Sequence, residues 1–204
     1  MNSKTRIEIE FRARFNEDRY KELELFLDKN AKDLGGDDKD VFFFIMVDKL
    51  LKVVNNISKK NATLVLKLNK IGQGSDFEEL EIPIAQRDVN KAVKMFTALG
   101  VSDNIMRSFQ KRHNYLYKGV ELALKYSDVW GYHLELEILL NDISEKQKAE
   151  NKIKVVAKEL NIRLMTEQEL TDFTQKAEQA YRNQKSKQVA KHFISSLGHK
   201  NGLN

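Results

Sequence analysis

The chain has no cysteine among its 204 residues. Disulfides, thiolate metal sites and cysteine nucleophiles are therefore excluded. One proline and nine glycines leave no stretch that reads as a linker between two domains. No stacked-aromatic stretch of the kind RNA-binding sheets present is visible, which leaves little support for an RNA-binding barrel. No apolar run reaches the length of a membrane span, and the N-terminus lacks a signal-peptide hydrophobic region. A cytoplasmic location is the resulting expectation. Charge, by contrast, is plentiful: 35 Lys and Arg stand against 30 Asp and Glu, a formal net charge of +5, beside 41% hydrophobic residues. The excess is mild. It favours anionic partners without choosing among nucleotide, polyphosphate, nucleic acid or membrane surface.

The chain is organised around Ile7-Glu8-Ile9-Glu10-Phe11-Arg12-Ala13-Arg14-Phe15. Alternate residues of a strand point to opposite sides, so the apolar set lies on one face and Glu8, Glu10, Arg12 and Arg14 on the other. His133-Leu134-Glu135-Leu136-Glu137-Ile138 repeats the pattern far downstream. Four carboxylates on one sheet face repel one another unless cations sit between them, and divalent metals with hard oxygen ligands do that.

Between these stretches the patterning predicts strands over 40–47, 49–55, 62–70, 77–84, 105–117, 120–126 and 132–140, after a first strand over 5–15. Helices are expected over 17–32, 86–99, 144–160 and 166–182, the last opened by a capping box at Thr166-Glu167-Gln168-Glu169. The segment 34–38 reads as a loop. The length suits one domain over residues 1–183, followed by a basic tail over 184–204 that is partly disordered or forms a short helix near 189–197. The strands are apolar on one face and charged on the other. With helices covering the apolar face, the charged face is left for the lumen of an antiparallel barrel, which also removes exposed edges.

Glu8-x-Glu10-x-Arg12 resembles the ExExK signature of the CYTH family, the triphosphate tunnel metalloenzymes. Gly131-Tyr132-His133-Leu134-Glu135-Leu136-Glu137 is similar to that family's late Gly-x-aromatic-x-Glu-x-Glu strand. The resemblance spans about residues 4 to 182 and implies an α+β fold built on an eight-stranded antiparallel tunnel with flanking helices and a C-terminal helical segment. It also implies a triphosphate-containing small molecule as partner and Mg2+ or Mn2+ as cofactor. The activity it implies first is that of a metal-dependent triphosphatase acting on inorganic, nucleoside or thiamine triphosphate; the alternatives are a class IV adenylate cyclase and a non-catalytic binder of polyphosphate or nucleotide. A homodimer is an open alternative for assembly; neither membrane nor nucleic acid is expected.

With the lumen face phased on Glu8 and Glu135, the inward residues separate by role. Glu8, Glu10, Glu135 and Glu137 are the candidate metal ligands. Glu8, Glu10 and Glu81 are the candidate catalytic carboxylates, with Glu79 beside Glu81 as a rim partner for lumen cations. Arg12, Lys52, Lys67, Arg112 and Lys125 are the candidate phosphate contacts, since Arg offers a planar fork and Lys a point charge. Two departures from the family pattern stand out. Val54 occupies the second of two positions that are usually basic, and Lys125 stands where an acidic metal ligand is common.

Overall fold

The computed structural model describes residues 6–68, 75–102 and 105–198. The elements run β1 (Arg6–Arg14), α1 (Glu17–Asn30), β2 (Lys32–Gly36), β3 (Lys39–Ile45), β4 (Leu50–Asn56), β5 (Asn61–Lys67), β6 (Asp76–Ile84), α2 (Val89–Ala98), β7 (Ile105–Tyr117), β8 (Val120–Ser127), β9 (Gly131–Leu140), α3 (Lys146–Glu159) and α4 (Glu167–Gly198). Short 3-10 turns, Gln86–Asp88 and Ile143–Glu145, lead into α2 and α3.

All strand pairs are antiparallel, and the sheet order is β2-β7-β3-β4-β5-β6-β1-β9-β8, closed by a β7–β8 pairing. Eight strands thus form the expected closed barrel. The ninth, β2, comes from a segment that the sequence reads as a loop. It lies beside residues 113–116 of β7, next to the length that β3 occupies. Its register slips between Asp33 and Gly35. Gly35 adopts φ +86, a conformation open to glycine at little cost, and its N–H donates to Asp33 Oδ1 at 2.7 Å. The β7–β8 hairpin turns on Lys118 and Gly119, both at positive φ, as a two-residue turn matched to strand twist requires.

Helices cover the barrel's apolar outer face on two sides. Tyr20, Leu23 and Leu27 of α1 and Ile153, Val156 and Ala157 of α3 pack on Ile9, Leu122, Leu124, Leu134 and Leu136. Val89 and Ala92 of α2 pack on Phe44, Leu51, Val53 and Ala62. The caps follow from sequence. Asn16 Oδ1 accepts from Arg19 N at 3.0 Å at the start of α1. Thr166 and Glu169 exchange side-chain and backbone bonds at 2.9 and 3.2 Å, forming the predicted capping box of α4. That helix is continuous, joining the two helical stretches that the sequence separates. No helix among the described residues is long and apolar enough to cross a membrane.

The helices carry much of the apolar burial, and Val41, Leu50 and Val65 add to it along the lumen face. Ile153 is fully buried between α3 and the barrel. Ile153→Ala is expected to cost about 2–5 kcal/mol by loss of burial plus the cavity left behind. Urea denaturation measures it; a cost under ~1 kcal/mol would mean α3 is not a fixed part of the fold.

Candidate active site

The alternation that hides one strand face under helices turns the other inward. The barrel encloses a cavity of about 740 Å³ lined by six cations, Arg12, Lys39, Lys52, Lys67, Arg112 and Lys125, and six carboxylates, Glu8, Glu10, Glu79, Glu81, Glu135 and Glu137. Formal charges cancel, and the groups are arranged as interlocked ion pairs.

Register places them. Glu10 lies opposite Glu137 and Arg12 opposite Glu135 across β1 and β9. Lys67 lies opposite Glu79 across β5 and β6, and Arg112 opposite Lys125 across β7 and β8. Lys67 Nζ reaches Glu8 at 2.9 Å, Glu10 at 3.3 Å and Glu79 at 2.8 Å. Lys52 Nζ stands 3.5 Å from Glu79. Arg12 pairs with Glu10 and, through Nε at 3.1 Å, with Glu135 Oε1. Lys125 Nζ holds Glu135 Oε2 at 2.9 Å. Arg112 lies 3.8 Å from both Glu135 and Glu137. Every substrate-binding and metal-binding candidate from the sequence therefore lines one lumen. Glu81 lines it too, two residues along β6 from Glu79, but is exposed at the rim.

The pairs tune the carboxylates differently. Burial alone would raise Glu8, but Lys67 and Lys52 outweigh it and hold the acid at about 2. Burial of Glu135 is likewise outweighed by Lys125, Arg12 and Arg112, so its pKa falls well below the usual range. Glu10 goes the other way. Burial, with Glu135 and Glu8 adding repulsion, overcomes Arg12 and Lys67 and raises it. Glu137 is raised well above the usual range by burial and by Glu8; its nearest cation among the described residues is Arg112 at 3.8 Å.

Several lining groups escape the sequence reading. Lys39 precedes the strand start predicted at Asp40, although it shares the phase of Val41 and Phe43. His133 lines the cavity, is buried, donates from Nδ1 to Gly131 O at 2.9 Å and lies against Trp130. Burial and Lys125 hold it neutral, with a pKa of about 3. Trp130 also carries the Arg12 guanidinium over its ring at 5.1 Å and touches Phe173 of α4. Asp37, inside the segment read as a loop, is buried among Lys39, Lys59, Asn56 and Asn114 and lies 3.4 Å from Arg112 Nε. With Asn114 Oδ1, which accepts from the same Nε at 2.7 Å, it aims Arg112 into the lumen. No local pattern shows that role, because all its partners except Lys39 are distant in sequence.

Oxygen donors of this kind suit Mg2+ or Mn2+. Among the described residues, no three Asp, Glu or His side chains stand grouped as a ready ligand set. A divalent ion must draw carboxylates away from ammonium partners. At the Glu8, Glu10 and Glu137 end, carboxylate crowding favours that exchange. At Glu135 both oxygens already face cations.

A family profile described as the CYTH domain matches residues 6–169. Among solved structures, the PH1012 protein of Pyrococcus horikoshii OT3 is 25% identical, with a TM-score of 0.61 over 76% of this chain and 91% of that one. A conserved hypothetical protein of Pyrococcus furiosus is also 25% identical, with a TM-score of 0.62 over the same shares, 76% and 91%. A candidate adenylyl cyclase of Hippeastrum, described as having a dominant triphosphatase activity, shares the fold at 18% identity and TM-score 0.55, over 78% of this chain and 89% of that one. No curated protein is a significant match. With the profile spanning most of the chain, and the closed barrel and its two Glu-x-Glu strands in place, the chain belongs to the CYTH family.

Proposed function

We propose that the protein is a metal-dependent triphosphate phosphohydrolase acting on an inorganic, nucleoside or thiamine triphosphate inside the tunnel. One observation carries this reading: six cations from six strands converge on one cavity whose volume, about 740 Å³, is that of a small-molecule site. Because six carboxylates cancel those charges, a triphosphate fits the array together with a divalent ion, the cations taking phosphoryl oxygens and the carboxylates the ion. The CYTH relative from Hippeastrum, described by its triphosphatase activity, is consistent with it.

Arg12 and Arg112 offer planar forks to phosphoryl oxygens, and Lys39, Lys52 and Lys67 offer point charges. Glu8, Glu10 and Glu137 are the residues proposed to hold Mg2+ or Mn2+, which would act as a Lewis acid toward phosphoryl oxygens. Glu10, raised by burial and by the neighbouring Glu135 and Glu8, is a carboxylate whose ionised form a divalent cation beside it would favour. Glu8, held ionised by Lys67 and Lys52, suits permanent negative charge. Glu81 at the rim is the remaining carboxylate able to position water. The rest of the rate enhancement is positioning and electrostatic stabilisation by the fixed cations.

Tripolyphosphate, ATP and thiamine triphosphate, each with Mg2+ or Mn2+, are expected to release orthophosphate in at least one case. Pyrophosphate with cyclic AMP instead would identify a cyclase, and tight binding without turnover a binding protein. Full neutralisation of Glu135 is the observation that favours this last alternative.

A further inference from the structure

The tunnel's charges are not spread evenly. Around Glu135 stand three cations: Arg12 on Oε1 at 3.1 Å, Lys125 on Oε2 at 2.9 Å and Arg112 at 3.8 Å. Along the neighbouring length, Glu8, Glu10 and Glu79 share Lys67, with Lys52 at 3.5 Å from Glu79, and Glu137 has Arg112 at 3.8 Å. Arg12 is also shared with Glu10, and Arg112 with Asp37, Glu121 and Glu137, whereas among the described residues Lys125 pairs with Glu135 alone. Lys125 is 4% exposed and faces Arg112 across the sheet. Two cations opposite each other on adjacent strands repel, and a buried ammonium carries a large desolvation cost. Glu135 offsets part of that cost, and both its oxygens are already engaged, Oε1 by Arg12 and Oε2 by Lys125. Lys125 and Arg112, facing each other across the sheet, would share a phosphoryl group entering the lumen as a second anion beside Glu135.

We infer that Lys125 is a built-in cation that takes the place of a divalent ion at Glu135, so that this region holds a phosphoryl group without metal and each chain takes one divalent ion, at Glu8, Glu10 and Glu137. The inference rests on the triphosphate reading of the site. It also explains why Glu135, although it belongs to a Glu-x-Glu pair, differs from Glu137. Its oxygens serve to hold Lys125, Arg12 and Arg112 in place, and Lys125 with them contacts the phosphate.

Two measurements test it. In EDTA, calorimetry with tripolyphosphate is expected to detect metal-free binding by the wild type. Lys125→Met should weaken that binding about tenfold or more, the effect of losing a charge-assisted contact, and Lys125→Arg should largely keep it. Equal metal-free affinity in wild type and Lys125→Met overturns the inference while leaving the triphosphate reading intact. If tripolyphosphate, ATP and thiamine triphosphate all fail to bind with or without metal, the triphosphate reading fails, and phosphate-free ion counting then decides the Lys125 claim. Mn2+ counted by electron paramagnetic resonance, without phosphate, should give one ion per chain in the wild type. It should give a second in Lys125→Asp, where a carboxylate replaces the ammonium and Glu135 is released. Two ions in the wild type, none, or no gain in a Lys125→Asp variant that circular dichroism shows to be folded overturns the inference.

Discussion

Lys67→Met is expected to be the most damaging single substitution in the tunnel, lowering stability by about 3–5 kcal/mol, because removing one partner of a buried ion network strands the other charges. Lys67 is 3% exposed, and its ammonium sits within 3.3 Å of Glu8, Glu10 and Glu79. Burial opposes its charge, yet Glu10, Glu8 and Glu79 together lift its pKa well above 10.5. A cation raised in this way contributes stability that is fully present below its unfolded pKa, near 10.5, and lost as pH climbs through the higher folded value. At neutral pH the wild type therefore has all of it. In Lys67→Met the sign reverses. Glu8 loses the largest of the influences that hold it at about 2, and the crowded carboxylates take up protons on folding. A state that binds more protons when folded gains stability as pH falls. The variant should thus recover part of its loss between about pH 7 and 5. Thermal melts across that range check both claims. A variant as stable as the wild type at pH 7, or one that weakens further on mild acidification, would mean that Lys67 does not bind these three carboxylates together.

Much of this site could be read from alternation alone, because strand period is strict and one buried face fixes the phase. Glu8, Glu10 and Arg12 turn inward for the same reason that Ile9 turns outward under α3. Lys67, between Leu66 and Leu68, signals an inward cation in need of anions, and Glu8, Glu10 and Glu79 supply them. The rest depended on partners that periodicity cannot name. Phe42-Phe43-Phe44 looks too apolar to face water on either side, yet Phe43 lines the tunnel opposite Lys52, with Phe42 and Phe44 toward α2. An aromatic side chain in a charged lumen is explained by its neighbours, not by the strand's own pattern. The glycine pair Gly35-Gly36 signals a turn. The length of β7 left open beside β3 provides a pairing edge, and the ladder overrides that local preference. Asp37 follows directly from this pairing. Once β2 is held on β7, Asp37 is carried into reach of Arg112, and its N–H donates to Arg112 O at 2.8 Å.

Lys125 shows the same division between face and partner. The sequence gives its face, since it shares the phase of Ala123 and Ser127 on β8. What that position means depends on three residues from three other strands: Arg12, Arg112 and Glu135. With Glu135 between them the ammonium persists, although burial and Arg112 pull its pKa down to about 8. The same strand without Glu135 would carry an uncompensated buried charge.

Glu137→Gln is expected to separate catalysis from stability, sharply lowering metal-dependent turnover while making the ligand-free protein more stable. Glu137 is ionised only at a cost: burial and the nearby Glu8 push its pKa well above the usual carboxylate range, and Arg112 at 3.8 Å does not offset them. A carboxyl raised on folding contributes stability below its unfolded pKa, about 4.5, and loses it as pH rises through the folded value. At pH 7 and above it therefore opposes folding. Glutamine keeps the shape and removes that opposition, so the variant's melting temperature should exceed that of the wild type at pH 7–8, and the difference should close as pH falls toward about 4.5. Activity should move the other way. If Glu137 helps hold the divalent ion, its loss removes several kcal/mol of transition-state stabilisation, about 10²–10³-fold in rate. A gain in stability with wild-type turnover would show that Glu137 is crowded but holds no ion. A loss of both would show that its carboxylate is a structural partner of Arg112, and that the negative region of the tunnel is set for folding and not for metal.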